Sequence, residues 1–138
     1  AFAQAPKAPA RAVTFSKDVA PIFQAKCQSC HEPGSIAPMS LVTFRESRPW
    51  AKSIKARVEA RQMPPWHIDR SVGVREFKND SSLSDAEIAT ISAWVDQGAP
   101  EGNPADFKAK PVTQGMYWQA ERDGYGPPDL VITAPMQT

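Results

Sequence analysis

The segment AKCQSCHEPG, residues 25–34, contains both cysteines of this 138-residue chain and one of its two histidines. Cys27, Cys30 and His31 follow one another in a C-x-x-C-H pattern. On a helix that advances about 100° per residue, Cys30 lies at about 300° and His31 at about 40° relative to Cys27. The spacing therefore predicts that three reactive side chains face one flat ligand from the same side.

The pattern C-x-x-C-H is the attachment signature for c-type haem. Two thiols at this spacing can add to the two vinyl groups of a haem as thioethers, and the imidazole that follows can bind the iron. The sequence therefore predicts one covalent haem, held by Cys27 and Cys30, with His31 as an iron ligand.

Three other uses of the two cysteines stay open. A thioredoxin-type dithiol site expects a βαβ setting, and this region has no strand pattern. A structural zinc site needs four ligands, and His67 is the only further histidine, so the adjacent Cys30 and His31 would both have to bind one metal. A disulfide or a pair of inert thiols needs no neighbouring histidine.

Length and composition indicate one small domain, and the N-terminal residues indicate export. Sixteen basic residues stand against 15 acidic ones, so no strong charge points to nucleic acid or to an anionic membrane. No apolar run approaches the ~20 residues that span a bilayer. The opening AFAQAPKAPARA resembles the end of a secretory signal followed by a flexible leader, which predicts a periplasmic or otherwise exported bacterial protein.

The chain divides into three predicted parts. Residues 1–12 form a flexible leader, residues 13–102 form a helical domain, and residues 103–138 form an irregular extension. Six of the fourteen prolines fall from Pro100 onward, which argues against a long helix there. Only the segment from Leu130 to Thr133 has a strand-like pattern, so the predicted fold class is all-α.

The first two helices are predicted from apolar spacing. One begins after Thr14-Phe15-Ser16 with Ser16 as N-cap and runs to the cysteine motif. Another begins near Ser47 with Pro49 in its first turn. Its apolar face and its basic outer face are predicted from residues three or four positions apart, namely Trp50, Ile54 and Val58 on one side and Lys52, Lys55, Arg57 and Arg61 on the other.

The third helix has the clearest signals, in LSDAEIATISAWVDQGAP. Ser84 is its predicted N-cap, Glu87 completes a capping box, and Gly98 followed by Pro100 stops it. Its predicted buried face consists of Ile88, Ile91, Trp94 and Val95.

A haem also predicts a second iron ligand. The candidates are Met39, Met63, Met116, Met136 and His67. Met63 is favoured because it ends a helix in RQMPPWH, where Pro64 moves it out of the α region. Met39 follows His31 by too short a loop, the last two methionines lie in the irregular tail, and His67 is the runner-up.

The order of these parts resembles a class I cytochrome c over about residues 15–102. The resemblance implies three to four helices around one covalent haem, with the first and last helices crossing so that Ile22 or Phe23 contacts Trp94. Several segments, CHEPGSIAPMSL, RPWAK, RQMPPWH, FKNDSSLSDAEI and WVDQGAPEG, more narrowly resemble single-haem domains at the N-terminus of larger exported bacterial proteins. Some of those continue into a copper-type monooxygenase-like or other domain, so GPPDLVITAP is expected to link to a further domain. The alternative is a self-contained cytochrome in which residues 103–138 are a long C-terminal tail.

The resemblance also implies contacts around the haem. A proline carbonyl shortly after the motif accepts the proton of the iron-bound imidazole in this family, and Pro38 occupies the matching place. The expected donors to the haem propionates are the Arg and Trp side chains near the second helix, Arg48, Trp50, Arg61 and Trp66.

The expected function is single-electron transfer with His31 and Met63 as axial ligands, without catalysis by this chain. Its partners would be redox proteins that dock transiently. The alternative is a haem-based gas sensor or weak peroxidase, if the methionine ligand is labile. A third class is a structural module whose haem only completes a small core.

Overall fold

The computed structural model describes residues 12–65, 72–73 and 80–109. Within these ranges the regular structure is helical and no strand occurs, which confirms the all-α prediction for this part of the chain. The α-helices of the described residues are α1 (Ala20–Lys26), α2 (Phe44–Ser47), α3 (Ala51–Glu59) and α4 (Asp85–Asp96). No helix among the described residues is long and apolar enough to cross a membrane.

The first helical segment begins at Phe15 with a π-helical turn that runs into α1. Thr14, in extended conformation, is its N-cap, so the prediction of Ser16 as N-cap is wrong. Ser16 lies inside the turn, where its N–H donates to the carbonyl of Glu101 at 2.9 Å. The N–H of Phe15, the first residue of the turn, likewise donates to the carbonyl of Pro100 at 2.9 Å. The distant segment 100–101 therefore supplies acceptors that local sequence does not indicate.

The second predicted helix begins earlier and is divided. A capping box of Thr43 and Glu46 starts α2, a 3₁₀ turn spans Arg48–Trp50, and α3 follows. Trp50 was predicted on the buried face, but its side chain is 45% exposed. Its ψ of 0° departs from the helical value, so it falls out of phase with the residues of α3.

The helix α4 agrees with the sequence prediction. Ser84 and Glu87 form the capping box, and Gly98, at φ +88°, follows the C-terminus. Ile91 and Trp94 are fully buried, while Ile88 and Val95 are partly buried against the core.

The core is centred on aromatic contacts between the first helical segment and α4. The rings of Phe23 and Trp94 meet edge to face with centroids 6.3 Å apart, which confirms the predicted contact between these helices. Phe15 lies 5.8 Å from Trp94 and 5.6 Å from Phe44, so it joins α2 to the same cluster. The indole N–H of Trp94 donates to the carbonyl of Pro100 at 3.0 Å. This cluster fixes the end of α1, from which the cysteine motif emerges.

Candidate functional site

The C-x-x-C-H motif lies in a tight turn directly after α1. Cys27 is the C-cap of α1 and leaves the helical region at φ −123°, so the helical angles used above for Cys30 and His31 do not describe the motif. The N–H groups of Cys30 and His31 both donate to the carbonyl of Cys27, at 3.1 and 2.9 Å. These bonds hold the three residues together without a helix. Both cysteines are half-buried and unbonded to each other.

The ring of His31 is held by a backbone carbonyl, although by a different one from that predicted. Its Nδ1 lies 3.1 Å from the carbonyl oxygen of Met39, and Pro38, the predicted acceptor, is exposed. Loop hydrogen bonds from Ala37 to Cys30 and from Leu41 to His31 set this register. When Nδ1 carries the proton and donates it to Met39, Nε2 has a free lone pair and can serve as a metal ligand.

The thiol of Cys27 has the wrong acidity for thiol redox chemistry. Burial, and to a smaller extent the nearby Glu87 and Cys30, together raise its pKa to about 12. Reactive dithiol sites instead depend on a thiol with a lowered pKa, because the thiolate is the nucleophile. The local electrostatics therefore disfavour a thioredoxin-type role for this pair.

Met63 lies beside the N-terminal part of α4. Its side chain is 43% exposed and borders a shallow depression with Val58, Pro64 and Ile88. Glu87, next to Ile88 in α4, is close enough to act on the thiol of Cys27. The N-terminal part of α4 therefore borders the predicted methionine ligand, and its Glu87 acts electrostatically on the first cysteine.

The exit from α3 toward Met63 is a Schellman motif with an arginine at the position that glycine usually takes. The N–H of Gln62 donates to Arg57 and the N–H of Arg61 to Val58, and Arg61 has a φ of +51°. The guanidinium of Arg61 bonds the carboxylate of Asp85 and, at 3.4 Å, the carbonyl of Leu83. Its partners are thus on α4 and the segment before it.

The other predicted haem neighbours are spread more widely. Arg48 and Trp50 are exposed on the 3₁₀ turn between α2 and α3. Trp66 and His67 lie outside the described residues, as do Met116 and Met136.

The donor set fits a c-type haem better than a bare metal ion. Two unpaired thiols, an imidazole oriented for ligation through Nε2 and a part-exposed thioether are the groups that such a haem requires. In the described ranges, no group of three or more His, Cys, Asp or Glu side chains is arranged to hold a metal ion. A zinc site built from these ranges alone is therefore not supported.

Sequence reasoning missed two features that shape this region, a capping box and a buried glutamine. The capping box of Thr43 and Glu46 follows the T-x-x-E pattern and was recognisable from the sequence. Gln28, inside the motif, is buried and donates to the carbonyl of Leu41 at 3.1 Å, and no sequence signal marks it.

Comparison with known proteins adds no relative: no protein-family model, no curated protein and no solved structure matches the chain. The functional conclusion therefore depends on the residues and on the geometry described above.

Proposed function

We propose that this chain is an exported single-electron carrier of the class I cytochrome c type, with one c-type haem attached to Cys27 and Cys30. The observation that carries the proposal is the geometry of His31, which follows the two free thiols in one turn while a backbone carbonyl holds its Nδ1. When bound, the haem supplies a one-electron iron couple.

His31 serves this function through both ring nitrogens. Its Nδ1–H donates to Met39 at 3.1 Å, which fixes the tautomer and the ring orientation. Such a bond also makes the other nitrogen more basic, and so a better donor to iron. The backbone bonds of the turn keep the ring next to the two thiols.

Met63 is the proposed second axial ligand. A thioether favours the reduced iron more than a second imidazole does, so it raises the reduction potential. With both axial positions filled, no position remains for a substrate, and the chain passes electrons to redox proteins that dock transiently. The edge-to-face contact between Phe23 of α1 and Trp94 of α4 supports this fold assignment.

The second candidate function depends on how firmly the Met63 thioether binds the iron. A methionine that dissociates readily opens an axial position to a gas or to peroxide, and the chain is then a haem-based sensor or a weak peroxidase.

Absorption spectra of the purified haem protein separate these functions. If the chain is an electron carrier, the oxidised parent protein should show a sulfur-to-iron charge-transfer band. The reduced parent protein should not bind carbon monoxide. Met63→Ala should abolish the band and permit carbon monoxide binding. Met39→Leu, a matched methionine control, and His67→Ala should leave the parent spectrum intact.

Two results contradict this assignment. Carbon monoxide binding by the reduced parent protein would favour the sensor or peroxidase function over electron transfer. Absence of the band from the parent, together with loss of ligation in His67→Ala, would indicate two histidine ligands and a lower reduction potential.

A further inference from the structure

Gln28 is buried although it belongs to a surface turn. Its exposed fraction is 9%, whereas the adjacent Ser29 is exposed. A buried carboxamide is unfavourable unless it forms hydrogen bonds. The Nε2 of Gln28 meets this need by donating to the carbonyl of Leu41 at 3.1 Å, across 13 positions of sequence.

Core packing and two hydrogen bonds fix the position of Leu41. Its side chain is 3% exposed within the core, its N–H donates to the carbonyl of His31 at 2.9 Å, and its carbonyl accepts the bond from Gln28. The peptide groups on both sides of Leu41 are thereby tied to the turn that carries the cysteine motif. This arrangement fixes the register between residues 28–31 and residues 37–41, the segment that returns along the turn and is called the returning segment below.

The carbonyl that holds the ring of His31 belongs to that returning segment. Met39, whose oxygen lies 3.1 Å from Nδ1, is two residues before Leu41. We propose that Gln28 is a positioning residue for His31: by anchoring Leu41, it places the Met39 carbonyl at Nδ1 and so sets the donor strength of Nε2 toward the haem iron. The inference rests on the proposed function.

Loss of the Gln28 amide has a defined consequence for the iron couple. The carbonyl of Leu41 loses its partner, the returning segment relaxes, and the bond from Nδ1–H to Met39 weakens. A less basic Nε2 stabilises oxidised iron less, so the reduction potential rises. The proton on Nδ1 also exchanges with solvent faster, because its acceptor holds it less firmly.

The test uses three variants of the full haem-bearing chain. Gln28→Leu keeps the approximate volume and removes the donor. Gln28→Glu replaces the donor with an acceptor when ionised, and regains an O–H donor when acid protonates the carboxyl. Ser29→Ala is the matched control, because Ser29 is the other inner residue of the motif and its hydroxyl reaches only Cys30 Sγ at 4.0 Å and no part of the returning segment.

Two measurements report on His31. Redox titration should show that Gln28→Leu shifts the ratio of oxidised to reduced protein about tenfold toward reduced at a fixed ambient potential. For a one-electron couple, this shift corresponds to about 59 mV. NMR of the reduced protein should show about tenfold faster exchange of the His31 Nδ1–H proton. Ser29→Ala should leave both values at those of the parent.

Gln28→Glu is assessed by proton exchange alone, since an ionised carboxylate alters the potential through its own charge. The His31 Nδ1–H proton of this variant should exchange faster than that of the parent at neutral pH. Its rate should return toward the parent rate at the same pH when acid protonates the introduced carboxylate. This recovery within one variant separates hydrogen bonding from a general loss of structure.

The outcomes distinguish this inference from the function on which it rests. A parent without covalent haem refutes both. A haem-bearing parent whose Gln28→Leu variant keeps the parent potential and exchange rate refutes the role of Gln28 alone. If Gln28→Leu does not fold, the Glu variant decides, because exchange that does not recover in acid refutes the positioning role.

Discussion

Gly102 lies close against Thr14, at the start of the first helical segment. A Cβ atom added there would lie 2.6 Å from the Cβ and 2.7 Å from the Oγ1 of Thr14. Neither backbone can move away easily, because Phe15 donates to Pro100 and Ser16 to Glu101, each at 2.9 Å. Gly102 also has a φ of +79°, which an L-residue with a side chain rarely adopts.

Gly102→Ala should therefore destabilise the domain in two ways. The left-handed backbone costs about 1–2 kcal/mol for a residue with a Cβ. Forcing a methyl group against Thr14 adds about 1–3 kcal/mol. The expected loss in the free energy of unfolding is then about 2–5 kcal/mol.

Gly34 is a matched control, because it has the same φ of +79° and no neighbouring atom within 4 Å of an added Cβ. Gly34→Ala should incur only the backbone term. Thermal unfolding followed by circular dichroism measures the difference. At about 4–8 °C per kcal/mol for a domain of this size, Gly102→Ala should melt about 4–24 °C below Gly34→Ala. Equal melting temperatures would show that residues 14 and 102 are not in close contact.

Two further predictions concern the core and a helix terminus. Trp94→Ala should lower the free energy of unfolding by about 3–5 kcal/mol, because it opens a cavity among fully buried residues, and a loss below about 1 kcal/mol would contradict this packing. Partial burial by itself raises the pKa of Glu46, but hydrogen bonds from the Thr43 and Ser40 side chains and the Thr43 backbone outweigh it and lower the pKa below the ordinary 4.5. A lowered folded-state pKa stabilises the fold above the unfolded pKa, and this contribution is lost as pH falls through the folded value. Thr43→Ala should therefore raise the pKa of Glu46, measured by NMR titration, and weaken the pH dependence of stability in this range, whereas an unchanged pKa would rule out the capping box.

Prediction from sequence succeeded where local signals and packing agree. The helix α4 begins at Ser84 and stops before Gly98 because the cap, the capping box and the glycine all act within a few residues. The contact of Phe23 with Trp94 followed from the resemblance, and the aromatic cluster bears it out.

Prediction from sequence failed where distant contacts or small changes in backbone conformation determine the local structure. Ser16 loses the N-cap position because the segment 100–101 accepts the first N–H groups of the helix. Trp50 turns outward because a 3₁₀ turn shifts the helical phase before α3. Neither effect is visible in apolar spacing alone.

The cysteine motif was visible in the sequence, but its backbone conformation was not. Cys27 ends the helix at φ −123°, and hydrogen bonds of the turn, not helical periodicity, gather the three side chains. The acceptor for His31 differs by one residue from the prediction, Met39 in place of Pro38, because the loop hydrogen bonds set the register. The role of Gln28 depends on that same loop, which explains why the motif alone did not indicate it.

The most direct test of the central claim is the mass of the purified chain under denaturing conditions. The chain is expressed with export in a host that attaches haem to a control c-type cytochrome. The account predicts a mass equal to the polypeptide plus one haem, and loss of that added mass when Cys27 and Cys30 are both replaced by Ser. A parent chain with the mass of the polypeptide alone, beside a haem-bearing control, would contradict it.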